Sequence, residues 1–127
     1  MEKRKINAAD TPAPAGGYSQ AVEVRSAERT LYISGQIPVA VDGTLPATFT
    51  EQARLAWYNV EAQLRAADMS LDNLVKVTIF LSDRSFAMEN RAVRAEILKD
   101  RAPAMTVVIT GIFDSAWLLE IEAIAAA

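Results

Sequence analysis

Apolar and polar positions alternate along the chain in two different periods, and these divide it into strands and two helices. Tyr18 to Val24 and Thr30 to Ser34 read as two strands around a turn near residues 26–29, and in the second Leu31 and Ile33 alternate with Tyr32 and Ser34. Gly35 ends that strand, and the stretch from Pro38 to Pro46, with Asp42-Gly43 inside it, reads as a loop. The spacing of Ala53, Ala56, Trp57, Val60, Leu64 and Ala67 predicts a helix that stops near Asp68. Thr48 or Thr50 serves as its N-cap, with Glu51 and Gln52 in the first turn. Leu74 to Leu81 is rich in β-branched residues, the pattern of a largely buried strand. Asp83 or Ser85 can cap a second helix from about Phe86 to Lys99, which Pro103 bars from continuing. Thr106 to Ile112 and Leu118 to Ala125 close the chain as two further strands.

The predicted order is ββαβαββ, an α+β chain in which two helices pack on one face of a mixed β-sheet. The other sheet face then needs cover if it is apolar. In the last strand Leu119, Ile121, Ala123 and Ala125 point one way, and Leu118, Glu120, Glu122 and Ile124 the other. Two acids among apolar neighbours on that second face mark a site or a subunit interface. Residues 1–17 are polar and then rich in Pro, Ala and Gly, and are expected to form a surface arm on a single domain spanning residues 1–127.

Composition removes several classes of chemistry. The chain has no cysteine and no histidine, so disulfides, thiol nucleophiles, imidazole catalysis and Cys/His zinc sites are excluded. Any catalyst uses carboxylates, hydroxyls, amides, Lys, Arg or backbone dipoles. The net charge is −3, and the arginines are scattered singly, which argues against nucleic acid as a partner. The one basic cluster, Lys3-Arg4-Lys5, reads as a solubilising tail. No run approaches the ~20 apolar residues that cross a bilayer, so a soluble cytoplasmic protein without membrane contact is expected.

Several short segments occur in one order over most of the chain. They are Ala13-Pro14-Ala15-Gly16-Gly17-Tyr18-Ser19-Gln20-Ala21-Val22, Leu31-Tyr32-Ile33-Ser34-Gly35-Gln36-Ile37-Pro38, Glu51-Gln52, Asn59, Asp72-Asn73-Leu74-Val75-Lys76-Val77-Thr78, Phe86 with Asn90, Pro103-Ala104, and Glu120 to Ala125. In this order they resemble the RidA family, also called the YjgF or reactive-intermediate deaminase family. The resemblance implies a chorismate-mutase-like fold, a homotrimer, and small-molecule clefts between neighbouring subunits. It further implies hydrolysis of reactive enamines and imines, such as 2-aminoacrylate, to a keto acid and ammonia, with no metal or organic cofactor.

By the same resemblance Glu120 is the acid that positions or activates water, and Tyr18 and Asn90 reach the cleft. The backbone N–H groups of Ser34-Gly35 suit a carboxylate or oxyanion, and Met105, Thr106 and Val107 line the pocket wall. One departure stands out. Deaminating members carry Pro-Ala-Arg-Ser or Pro-Ala-Arg-Thr, and here the segment is Pro103-Ala104-Met105-Thr106. The family's arginine clamps the substrate carboxylate through a bidentate pair; Met105 carries no charge and donates no hydrogen bond. Three readings stay open: a ligand without a carboxylate, with Met105 as an apolar wall; a binding protein without catalysis; or a clamp supplied by another arginine, with Arg91 and Arg101 as candidates. An endoribonuclease or translation-inhibitor role is the remaining alternative, and the charge pattern argues against it.

Overall fold

The computed structural model describes residues 1–127. Six strands and two helices follow one another along the chain: β1 (Glu2–Ile6), β2 (Ala21–Arg25), β3 (Thr30–Gln36), α1 (Phe49–Ala66), β4 (Leu74–Leu81), α2 (Ala87–Leu98), β5 (Ala104–Ile109) and β6 (Leu119–Ala126). Strands β3 to β6 form a mixed sheet in the order β3-β6-β4-β5, with β6 antiparallel to both neighbours and β4 parallel to β5. The α+β reading therefore stands, with one strand more than the sequence suggested.

The extra strand is β1. Its alternation is Glu-Lys-Arg-Lys-Ile, without the apolar face that marks a strand in sequence. It pairs antiparallel with β2 as a two-stranded ribbon. Lysine ammonium groups hold that ribbon to the rest of the fold: Lys3 Nζ donates to the carbonyls of Asp72 and Leu74, and Lys5 Nζ to that of Asp100 at 3.2 Å. Burial pulls the Lys3 ammonium below its ordinary pKa, against the opposing attraction of Asp72. The basic cluster is thus a strand and a set of anchors, not a solvated tail.

The first helix starts where the sequence places it. Thr48 has extended backbone and its Oγ1 accepts the Glu51 N–H at 3.2 Å. Phe49, Ala53, Ala56, Trp57, Val60 and Leu64 form its buried stripe. At the far end Asp68 adopts a left-handed φ of 55°. Asp68 N–H donates to Arg65 O at 3.0 Å and Met69 N–H to Leu64 O at 2.8 Å, the paired bonds of a Schellman ending. A β-carbon in that backbone region is strained, so Asp68→Gly is expected to raise stability by about 1 kcal/mol in urea unfolding. A drop in the unfolding midpoint would show that the aspartate side chain outweighs the strain.

The second helix is entered through a tight turn at Arg84–Phe86, whose N-cap Asp83 accepts the Ser85 N–H at 2.8 Å. That hydrogen bond holds the Asp83 carboxyl below the usual carboxylate range. On β6, Leu119, Ile121, Ala123 and Ala125 are buried beneath the helices, as the alternation predicts. Val77, Ile79 and Leu81 of β4 lie beside them in register and complete the floor of the core. No helix is long and apolar enough to cross a membrane.

Candidate functional site

Register decides which site residues share a face. Val77, Ile79 and Leu81 face the helices, and their β5 partners are Met105, Val107 and Ile109. Thr78 and Phe80 face the opposite way, with Thr106 and Val108 beside them on β5 and Glu122 and Glu120 beside them on β6. Met105 and Val107 therefore lie on the helix side of the sheet, and Glu120 and Thr106 on the open side. One protomer splits the predicted site into two groups. Thr106 and Val107, taken together from the sequence as one pocket wall, fall into different groups.

The open-side group centres on Glu120. Between Ile33 and Gln36 the chain takes three steps while β6 takes two from Ala123 to Ile121, so β3 bulges at Ser34-Gly35. A bulge leaves one residue outside the ladder and re-aims its neighbours. Here it lays the Glu120 side chain directly over Gly35: a β-carbon on Gly35 would sit 1.9 Å from Glu120 Oε2 and 2.7 Å from its carboxyl carbon. Only glycine fits. No lysine or arginine of the same chain pairs with this half-buried carboxylate. It borders a groove of about 280 Å³ formed with Phe80, Thr110, Gly111, Ile112 and Phe113. Thr106 Oγ1 accepts from Lys76 Nζ at 2.6 Å, and Glu122 is exposed.

The helix-side group forms where the N-terminal segment meets β5. Gly16 and Gly17 have φ of 111° and 77°, and they turn the chain so that Ser19 runs beside the strand. Ser19 N–H donates to Pro103 O at 3.0 Å and its hydroxyl to Ala102 O at 2.6 Å. This fixes Tyr18, whose hydroxyl accepts the Ala15 N–H at 3.2 Å. Asn90 is only 3% exposed on α2, and its Oδ1 has no hydrogen-bond partner.

One turn further along the same helix face stands Arg94, 6% exposed, which sequence reading missed. Its Nη1 lies 3.3 Å from Met105 Sδ, its Nη2 donates to Gly16 O at 3.3 Å, and its guanidinium carbon is 5.8 Å from the centre of the Tyr18 ring. Arg94 has no carboxylate partner. Burial pulls its pKa below the ordinary value, the Arg91 charge acts the same way, and Tyr18 opposes them. The arginine beside Met105 is therefore neither candidate named from sequence. Arg91 is exposed on α2, and Arg101 pairs with Asp72 at 2.7 Å. A signal existed in the sequence: Asn90, Val93, Arg94 and Leu98 recur at helical spacing and form the buried stripe of α2.

Two polar residues of the motif set turn out to be staples. Gln52 donates to Pro46 O and Ala116 O and accepts the Leu118 N–H at 2.8 Å, tying the loop before β6 to α1. Asn59 donates to Ile37 O and Val39 O, fixing the chain that leaves β3. Between them they hold both strands that present Glu120 and Gly35.

Comparison with known proteins agrees with this architecture. The family model described as Endoribonuclease L-PSP matches residues 8–127. The protein mmf2, mitochondrial, of Schizosaccharomyces pombe is 38% identical over 130 residues, covering 99% of each chain. The crystal structure of RidA from an Antarctic Psychrobacter superposes with a TM-score of 0.74 at 32% identity, covering 98% of this chain and 99% of that one. Escherichia coli TdcF, solved with bound serine, gives 0.74 at 31% identity and 98% coverage of both. Full-length similarity at these identities, on a shared fold, makes the chain a member of the RidA family, the group also described as endoribonuclease L-PSP.

Proposed function

We propose that the chain is a homotrimeric hydrolase of reactive enamine and imine metabolites, working in clefts between neighbouring subunits, with a substrate range altered by Met105. The observation that carries this reading is the division of the site. Glu120 lies over Gly35 on one sheet face, and Tyr18 and Met105 meet around Arg94 on the other, with Asn90 one turn away along α2. A second copy is needed to bring the two groups together. Exposed Val108 and Phe113 near the Glu120 groove supply apolar surface for that contact.

In the reaction, water adds through its oxygen to the imine carbon while Glu120 takes a water proton and returns it to nitrogen. The carbinolamine then loses ammonia as its hydroxyl proton passes to the leaving nitrogen, and the carbon becomes a carbonyl. Tyr18 and Asn90 orient the ligand, the Ser34-Gly35 amides hold its polar end, and Thr106 of one subunit and Val107 of its neighbour border the pocket. The chemistry draws on no cofactor.

Imines made in situ by an amino-acid oxidase test this directly. Wild-type protein is expected to accelerate ammonia release, and Glu120→Gln to lower the rate by about 10²- to 10⁴-fold, the usual range for a lost acid–base group. Absence of acceleration with acidic, neutral and apolar imines removes the hydrolase reading. The serine bound to TdcF favours a second reading, a binding protein without catalysis. Thermal shift by small amino acids, together with no ammonia release, selects it. The scattered cations and net charge of −3 do not favour the RNA-cleaving role that the family description carries.

A further inference from the structure

We propose that Arg94 of α2 is the group that holds the carboxylate of this chain's ligand. The inference rests on the reading that the cleft takes small reactive metabolites, and it adds the charge that those metabolites carry. A buried guanidinium without a counterion is costly, and no acid of the same chain supplies one. Of its five N–H groups, one meets the weakly accepting Met105 Sδ and one the Gly16 carbonyl, which leaves three unclaimed.

The unclaimed Nε is not among the fully buried atoms left without a partner, so a sliver of this nearly buried guanidinium still meets the outside. A β-carbon on Gly17 would stand 3.7 Å from Nε and 3.9 Å from Nη2, so the absence of a side chain there leaves that edge of the guanidinium uncovered. A carboxylate there takes the free Nε–H and the second Nη2–H, the first being held by the Gly16 carbonyl. Gly17 also has φ of 77°, which disfavours any other residue at the position. Asn90, on the same helix face one turn away, has an unpartnered Oδ1, an acceptor suited to an N–H of the ligand and not to its carboxylate. Arg91, the nearest other cation on the helix, is exposed. A single buried cation fits a monoanion better than a phosphate dianion. The Met105 thioether and the Tyr18 ring then bound the ligand with apolar surface.

Titration calorimetry of the full chain with pyruvate and with its uncharged analogue pyruvamide tests the assignment. Wild type is expected to bind pyruvate at least tenfold more tightly than pyruvamide. Arg94→Gln, which keeps a donor for the Gly16 carbonyl but loses the charge, is expected to weaken pyruvate ten- to a hundredfold and leave pyruvamide unchanged. Equal affinity of wild type for the two probes overturns the proposal without recourse to any variant. Undiminished pyruvate binding by a folded Arg94→Gln overturns it too. If Arg94→Gln fails to fold, Arg94→Lys carries the test: a retained but weaker preference for pyruvate is expected, and pyruvate affinity equal to that of pyruvamide overturns the assignment. Ammonia release reads the hydrolase separately. Arg94-dependent pyruvate binding without turnover removes the hydrolase and keeps the carboxylate site. Turnover of amino-acid-derived imines that Arg94→Gln leaves untouched does the reverse.

Discussion

Gly35→Ala is expected to lower imine hydrolysis by about a hundredfold or more while shifting the unfolding midpoint only slightly. The substitution separates a site effect from a fold effect. The added β-carbon would overlap the end of the Glu120 side chain, at 1.9 Å from Oε2 and 3.0 Å from Cγ. A flexible glutamate escapes such a clash by rotating away, and the backbone at Gly35 has no left-handed φ to be strained by a side chain. Stability is therefore little affected. The carboxylate, however, moves by more than an ångström from the place where it meets water, and misplacements of that size cost about 10²-fold in rate. Steady-state ammonia release, set beside urea unfolding of the same preparation, gives the answer. Unchanged turnover in a folded Gly35→Ala protein would mean that the position of the Glu120 carboxylate is immaterial to the chemistry.

Trp57→Ala is expected to cost about 3–5 kcal/mol of stability, a large share of the ~5–15 kcal/mol of an ordinary domain. Trp57 has no exposed surface and belongs to the central stripe of α1 facing the sheet. Its indole Nε1 is buried without a hydrogen-bond partner. That orphan makes the comparison with phenylalanine informative. Trp57→Phe loses some volume but also removes a donor whose burial costs about 1–3 kcal/mol. The two effects oppose each other, and a net change of about 1 kcal/mol or less is expected. Denaturant unfolding of both variants decides between volume and polarity. If the phenylalanine variant is as weak as the alanine variant, packing shape alone governs the site.

The elements built on strong periodicity were legible in the sequence. Leu74 to Leu81 is the strand its β-branched run announced, and Thr48 caps the helix that the Ala53-to-Leu64 stripe defined. The strand β1 was not legible, because its stability comes from pairing with β2 and from Lys3 and Lys5 reaching distant carbonyls, neither of which leaves a periodic trace. The family motifs located Tyr18, Asn90 and Met105, and the fold brings Tyr18 and Met105 around Arg94, with Asn90 one turn away along α2. They did not reveal that Glu120 and Thr106 lie across the sheet, which follows only from register. Arg94 was hidden for another reason. A charged residue on a helix reads as solvated, and only its place in the stripe of Val93 and Leu98 distinguishes it from Arg91.

The 3.3 Å approach of Arg94 to Met105 also bears on how chains of this type are compared. An aligned column records what stands after Pro103-Ala104 and finds a neutral thioether. The fold puts a cation 3.3 Å from that thioether, carried by a different element. β4, α2 and β5 form one crossover, so the helix above the strand can present a charge beside it without rearranging the backbone. Sorting chains by that one position would miss a charge that the neighbouring helix supplies. Sorting them by what surrounds that point would record it.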